Sequence, residues 1–218
     1  CASDPGRHGA QCRLRRGVVM SVVSLPAAFS PRTCALVLAT NQRVSASPFG
    51  GTEQAVDLLN DRWYLSCVLP AGRQRDGAWR DAFIAGMRGQ VNWVPLWHFA
   101  RPQPRGTARG TMMVDGSVAQ GASAIPVDGI SPSTGTLLAG DMLGVGGRLF
   151  MVAADVTASG GGATVQVVNR VRTALTDNAL VTWDKPTALF RLLSAGEVQY
   201  EPGAIGTTQF DFGEYIAS

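Results

Sequence analysis

Apolar side chains in this chain recur mostly at every second position, which is the spacing of β-strands. In residues 62–69, Trp63, Leu65 and Cys67 lie on one face of an extended chain, and residues 207–215 alternate in the same way. Further strand-like runs before residue 105 and after residue 186 are 18–25, 32–38, 42–46, 52–59, 91–99, 188–193 and 198–201. Pro95 predicts that the run 91–99 is an edge strand or a bulged strand, because proline cannot donate to a sheet.

One segment has the period of an α-helix. Asp76 can cap its start, since a carboxylate accepts free backbone N–H groups of the first turn. Gly89 can end it in the left-handed conformation. Apolar residues recur at helical spacing in between, at Trp79, Phe83, Ile84 and Met87. The charged residues fall mostly on the other faces: Arg75, Arg80, Asp81 and Arg88. This pattern predicts a helix packed on a sheet.

The sequence pattern changes between residues 110 and 186, where short strand-like runs alternate with glycine-containing turns. Asp-Gly and Gly-Gly pairs between apolar runs are strong turn signals. The strand-like runs are 111–114, 124–127, 137–145, 148–156, 164–168 and 179–183. A small closed β-barrel is expected here, because closure removes exposed strand edges.

The order of these segments predicts the domain organisation. Residues 101–109, rich in proline and arginine, read as a crossing between modules. The prediction is a mainly β protein with one helix. Its base domain is split between 20–105 and 187–218, and a barrel is inserted at 106–186.

Composition adds two constraints. Only 16% of the residues are charged, which suits surfaces covered by other subunits but is also typical of a glycine-rich β protein. The net charge is +3 and Lys185 is the only lysine. The arginines form no stripe that would mark a nucleic-acid groove. No apolar run reaches the ~18 residues of a membrane-spanning helix. Residues 1–19 are expected to be a disordered leader, or upstream translation before a true start at Met20, and to contribute nothing to the fold.

Catalytic and ligand-binding signatures are missing. The cysteines Cys1, Cys12, Cys34 and Cys67 fit no zinc spacing, and Cys34 and Cys67 lie in apolar runs typical of buried free thiols. Of the two histidines, His8 lies in the leader and His98 is interpreted as a sheet or interface histidine. Residues 144–147 resemble part of a nucleotide-binding glycine loop, yet a strand-like run follows them. No catalytic residue, metal ligand or cofactor is predicted.

Two pairs of carboxylates could in principle act as acid and base: Asp211 with Glu214, and Asp57 with Asp61. Acid–base work requires two carboxyl groups with separated pKa values in one cleft. Nothing in the sequence indicates such a cleft. Solvated strand faces and turns are the preferred interpretation.

Several short strings resemble the minor tail proteins of long-tailed bacteriophages. They are SPFGGTEQ at 47–54 followed by WYL at 63–65, GDML at 140–143, RLFMV at 148–152, and the ending at 207–215. The resemblance covers roughly residues 20–218. It is closest in kind to the distal tail proteins of the tail tip.

The resemblance implies a β-sandwich base domain with a flanking helix, and an inserted barrel of the oligonucleotide/oligosaccharide-binding type. It further implies a ring, typically a hexamer, that joins the tail tube protein to the tip hub or baseplate proteins. The expected partners are therefore other copies of the chain and these tail proteins, without a membrane or a specific nucleic acid. The expected location is the virion tail, after assembly in the host cytoplasm.

Three other functions stay open. The barrel could bind a cell-surface sugar, with Phe150 and Trp183 as its few aromatic residues. The chain could be a wall hydrolase of the tail tip, or a tail-tube subunit that polymerises without limit. The tryptophans Trp63, Trp79, Trp93 and Trp97 suit either subunit interfaces or the protein's own core.

Overall fold

The computed structural model describes residues 20–46 and 50–216. The leader at 1–19, with Cys1, His8 and Cys12, therefore lies outside the described residues, as do positions 47–49. Within the described part, strands dominate and one α-helix is present. The mainly β fold class is confirmed.

The elements are named here in chain order. The first part contains β1 (Thr33–Ala39), β2 (Gln42–Ala46), β3 (Glu53–Asp57), β4 (Arg62–Leu69), β5 (Gly72–Arg73), α1 (Gly77–Met87) and β6 (Val94–Leu96). The middle part contains β7 (Met112–Val114), β8 (Ala124–Asp128), β9 (Thr136–Leu137), β10 (Met142–Val145), β11 (Arg148–Met151), β12 (Val156–Thr157), β13 (Ala163–Gln166) and β14 (Leu180–Thr182). The last part contains β15 (Ala188–Ala195), β16 (Tyr200–Glu201), β17 (Ala204–Ile205) and β18 (Thr208–Glu214).

The two ends of the described chain share one antiparallel sheet of five strands, in the order β1-β4-β18-β15-β6. The central pair joins β4 to β18, with Leu65 opposite Phe212. Alternation places the large apolar residues of these strands on one face, where they form a core with the helix. That core contains Phe29, Trp63, Leu65, Cys67, Leu69, Phe83, Met87, Val94, Leu96, Met142, Leu149, Ala188, Phe190, Leu192, Phe210 and Phe212. We call it the base core.

Helix α1 packs on this sheet through Phe83 and Met87, as predicted. Three details differ from the prediction. The left-handed residue that ends the helix is Arg88, one position before Gly89. Asp76 makes no capping bond with its side chain, which instead accepts a hydrogen bond from the backbone N–H of Arg73 at 3.1 Å. Arg80, expected on an outer face, is buried, because its guanidinium reaches carbonyl oxygens of neighbouring loops beneath the helix.

The middle part forms a six-stranded antiparallel sheet in the order β11-β10-β14-β7-β8-β13. Its two outer strands meet just beyond their ends, where Val152 bridges Val167. The N–H of Val168 donates to the carbonyl of Met151 there, at 2.8 Å. The sheet therefore curls on itself around a second core of mostly valine, leucine and isoleucine, the barrel core.

The barrel packs directly on the five-stranded sheet. Met142 and Leu149 belong to barrel strands, yet both are buried in the base core. The indole Nε1 of Trp63 on β4 donates to the carbonyl of Leu149 at 3.1 Å. The two cores thus share a tightly hydrogen-bonded boundary.

Some predicted strands are shorter or absent. In residues 20–25 a single parallel bridge joins Val22 to Trp93, because Pro95 in the partner segment lacks the N–H that would extend the pairing. Strand β6, which holds Pro95, is the edge of its sheet as predicted. The run 137–145 divides into β9 and β10, and the run 148–156 into β11 and β12.

Candidate functional site

The most exposed element of the molecule is the hairpin of β2 and β3, in which Val44 pairs with Ala55 and Arg43 with Val56. All ten strand residues are exposed. Cross-strand partners point to the same face, so Val44 and Val56 lie on opposite faces. Each face of the hairpin therefore carries a valine that the described residues leave uncovered.

An ion pair joins the hairpin to the barrel. The carboxylate of Asp57 in β3 accepts from the guanidinium of Arg170 at 3.1 Å, and both side chains are about half exposed. An ion pair with this exposure contributes little to stability. This ion pair orients the base of the hairpin, and the remainder of the hairpin projects into solvent.

The outer face of the five-stranded sheet carries an apolar row. Val37 of β1 lies opposite Tyr64 of β4, and Tyr64 lies opposite Gly213 of β18. Leu193 of β15 reaches over Gly213 from the far side. Val37 is 60% exposed, and Tyr64 and Leu193 are each 39% exposed. The side of the sheet away from the base core therefore exposes these apolar side chains beside the polar Ser66 and the charged Asp211 and Arg191.

A cleft of about 560 Å³ lies where this face meets the base of the hairpin. It is lined by Ala39, Thr40, Asn41, Asn60, Arg62, Tyr64 and Ile216. The loop at its rim is held by Asp61, which accepts from the backbone N–H of Asn41 at 3.1 Å. The hairpin, the apolar row and this cleft are contiguous, and together we call them the assembly surface.

The prediction that the paired carboxylates are solvated is wrong for Glu214. It is 2% exposed and accepts from the backbone N–H of Trp63 at 3.1 Å and from the guanidinium of Arg172. Burial raises the pKa of Glu214, and the charge of Arg172 partly offsets that effect. Asp211 accepts from the hydroxyl of Ser66 at 2.7 Å. These contacts are structural, since the two carboxylates are held by separate partners.

His98 is buried, and its Nε2 accepts from the guanidinium of Arg101 at 3.2–3.3 Å. Its Nδ1 has no partner among the described residues. Burial, and secondarily the charge of Arg101, lowers the pKa of His98. The ring is therefore neutral at physiological pH and lies against a cation, with no hydroxyl or thiol bonded to it within the described ranges.

The glycine string at 144–147 is a turn between two strands. Gly146 and Gly147 have φ of +57° and +74° and connect β10 to β11, so no helix begins there. Across residues 20–46 and 50–216, no group of three or more histidine, cysteine or acidic side chains lies close enough to hold a metal ion. Nor does that part of the chain contain a helix long and apolar enough to cross a membrane.

The aromatic residues considered for sugar binding and for interfaces mostly pack against other residues of their own chain. Phe150 is 1% exposed in the barrel core. Trp183 is half-buried, donates to the carbonyl of Gly110 at 2.8 Å and lies under the guanidinium of Arg109. Trp63 is buried, and Trp79, Trp93 and Trp97 are half-buried against their own chain.

Sequence reasoning missed the assembly surface because it searched for tryptophans. The signal was present in β2 and β3, whose residues show no apolar face of the kind that a packed strand needs. No protein-family model matches the chain, and no curated protein matches it at a significant level.

Proposed function

We propose that this chain is a structural, non-catalytic subunit of a long-tailed bacteriophage tail. In this proposal its copies close into a ring that joins the tail tube protein to the tip hub or baseplate proteins. The observation that carries it is the projecting hairpin of β2 and β3, exposed on both faces. The resemblance of the strings at 47–54, 63–65, 140–143 and 148–152 to minor tail proteins adds the biological setting.

The hairpin supports self-assembly for a physical reason. An isolated two-stranded hairpin is marginal in water, and its open edges can pair with another chain. It gains its missing contacts when a neighbouring copy covers one face or extends its edge. Within one copy the hairpin projects from the sheet, while the outer sheet face stays uncovered. A contact between two different patches of this kind is head-to-tail, and such contacts generate closed rings when the rotation closes.

Low charge supports the same role. Val37, Tyr64 and Leu193 are themselves uncharged, and the one charged residue in register with them is Arg191, which lies opposite Gly213 with its guanidinium over the ring of Tyr215. Protein interfaces are depleted in charged residues at their centres. A covered apolar row therefore fits a subunit contact better than a solvated face.

Native mass measurement combined with negative-stain imaging tests the proposal. The wild-type chain is expected to form closed rings of one size. The double variant Val44→Lys with Val56→Lys is expected to be monomeric and still folded by circular dichroism, because both valines are exposed. The matched control is Val168→Lys with Leu180→Lys, which changes two equally exposed residues of the barrel and should leave the rings intact.

Three results would contradict the ring proposal. One is a monomeric wild-type chain at all concentrations and in the presence of tail tube protein. A second is unlimited tube growth, which would instead identify a tail-tube subunit. The third is loss of rings in the barrel control together with intact rings in the hairpin variant.

A carbohydrate-binding module is the second candidate. The observation that favours it is a cleft of about 230 Å³ beside Trp183, lined also by Thr111, Thr182 and Asp184. Aromatic and carboxylate side chains in one cleft suit a sugar. Binding on a glycan array that is lost in Trp183→Ala, with the fold unchanged, would support this candidate. An array without signal would remove it.

A further inference from the structure

Cys34 and Cys67 face each other directly across strands β1 and β4. Both are free thiols. Opposed residues of an antiparallel pair have Cα atoms about 4.5–5.5 Å apart, and disulfides span Cα separations of about 4.4–6.8 Å. The register therefore brings the two sulfurs within bonding reach without rearranging the sheet.

The two thiols differ in access. Cys67 lies in the second strand of the sheet and is fully buried, with Phe210 opposite it on the other side. Cys34 lies in β1, the edge strand, and is half-buried. A reagent in solution therefore meets Cys34 before the fully buried Cys67.

The electrostatic environment has the same asymmetry. A hydrogen bond from the Cys67 thiol lowers the pKa of Cys34 to about 7 against the opposing effect of burial, with smaller help from the backbone N–H groups of Phe99 and Ala100 and the charge of Arg101. The same hydrogen bond, together with burial, raises the pKa of Cys67. The thiolate, which is the nucleophilic form of cysteine, therefore forms on Cys34.

We propose that Cys34 and Cys67 are a thiol modification site whose substrate is a low-molecular-weight disulfide. The Cys34 thiolate attacks one sulfur of the disulfide, forms a mixed disulfide and releases one thiolate. Cys67 then loses its proton and attacks the Cys34 sulfur, which releases the second thiol. In sum, two protein thiols are oxidised to one cross-strand disulfide, and one small disulfide is reduced to two thiols.

The product joins the edge strand β1 to its neighbour by a covalent bond. Residue 39 ends β1, and residue 42 begins the hairpin strand β2. Oxidation therefore anchors the strand that leads directly into the assembly surface. The chemistry itself does not depend on the proposed ring function, because it requires only the register and access of the two thiols.

Incubation with oxidised glutathione tests the proposal. The full chain should carry Cys1→Ser and Cys12→Ser, so that only the two strand cysteines remain. Mass spectrometry is expected to show the loss of two hydrogens and no retained glutathione. Proteolytic peptides should show a link between Cys34 and Cys67 that a reductant removes.

Two single variants separate the steps. Cys67→Ala is expected to retain one glutathione on Cys34, since no second thiol can displace it. Cys34→Ala is expected to stay unmodified under the same conditions. The Val44→Lys, Val56→Lys variant in the same background should behave as the parent, which separates the thiol chemistry from any effect of assembly.

Several outcomes would overturn the proposal. The first is that both thiols of the parent stay unmodified, and the second is that the parent keeps a stable glutathione adduct. Either result must hold in the assembled parent and in the hairpin variant. Modification of Cys67 in Cys34→Ala at the parent rate would contradict the order of attack. The parent and its peptide map decide the question even if a buried alanine variant fails to fold.

Discussion

At the scale of single residues, the side chains whose burial the sequence pattern did not predict are polar ones. Arg80, His98 and Glu214 are all buried, although charge alone would place them in water. Each is retained because specific partners replace its hydration. Arg80 and Glu214 bond to backbone groups, and His98 accepts from Arg101. A period-two pattern indicates burial and does not identify hydrogen-bond partners, whether they are distant, as Trp63 is from Glu214, or three residues away, as Arg101 is from His98.

Acidification is expected to destabilise the protein through His98. Because burial lowers the pKa of His98 below its ordinary 6.5, the unfolded chain binds more protons than the folded chain once the pH falls under that value. The stability contributed by the neutral ring is present above pH 6.5 and is lost as the pH falls through the folded pKa. Denaturant unfolding at about pH 7.5 and about pH 5.5 measures the loss.

The control for this prediction is His98→Gln, which keeps an acceptor for Arg101 but does not titrate. Both chains should carry His8→Gln, so that His98 is the only histidine that differs. The free energy of unfolding should fall less between the two pH values in the glutamine variant. An equal fall in both chains would assign the pH dependence to the carboxylates.

At the scale of elements, packing decided where strands and the helix end, while periodicity had indicated their existence. Helix α1 was predicted from the spacing of Trp79, Phe83 and Met87, and that stripe does pack on the sheet. The prediction that Arg80 lies on an outer face was wrong, because a long arginine side chain can bury its aliphatic part while its guanidinium still reaches polar atoms. The segment 20–25 was wrong as a strand because its partner contains Pro95.

Replacing Arg80 by methionine is expected to lower the free energy of unfolding by about 2–4 kcal/mol. The guanidinium donates to the carbonyls of Gly206 and Pro70, at 3.2 Å and 2.6 Å, and to the hydroxyl of Thr208 at 3.1 Å. Methionine fills similar space but leaves these acceptors without a donor. Denaturant titration with an unchanged slope measures the difference.

The matched control is Arg75→Met on the preceding turn, whose side chain is 75% exposed. It should change stability by no more than about 0.5 kcal/mol. Equal effects of the two substitutions would show that the buried hydrogen bonds of Arg80 contribute nothing beyond the loss of a charge.

At the scale of the whole molecule, the barrel and the five-stranded sheet are joined by buried polar contacts as well as apolar ones. Arg172 approaches from the barrel, and Glu214 ends the last strand of the sheet. The indole of Trp63 bonds to Leu149 nearby. Such contacts hold an inserted module in one orientation, because their geometry is directional.

Arg172→Met is expected to lower the free energy of unfolding by about 3–5 kcal/mol, since it leaves the Glu214 carboxylate buried without its cation. The double variant with Glu214→Gln should recover part of this loss, because glutamine is neutral and still accepts from the N–H of Trp63. A double-mutant cycle measured by denaturant unfolding gives the coupling. Strictly additive effects of the two substitutions would show that the ion pair is not coupled.

The sequence by itself determined the mainly β class, the helix α1, the restriction of the Pro95 strand to an edge or a bulge, and the turn at Gly146–Gly147. These features depend on local periodicity, on the missing N–H of proline and on glycine's tolerance of positive φ. Only the tertiary structure decided that Cys34 faces Cys67, that Glu214 meets Arg172, and that the β2–β3 hairpin stays exposed on both faces among the described residues. Each of these facts depends on which distant segments become neighbours, and strand register carries that information only after the chain has folded.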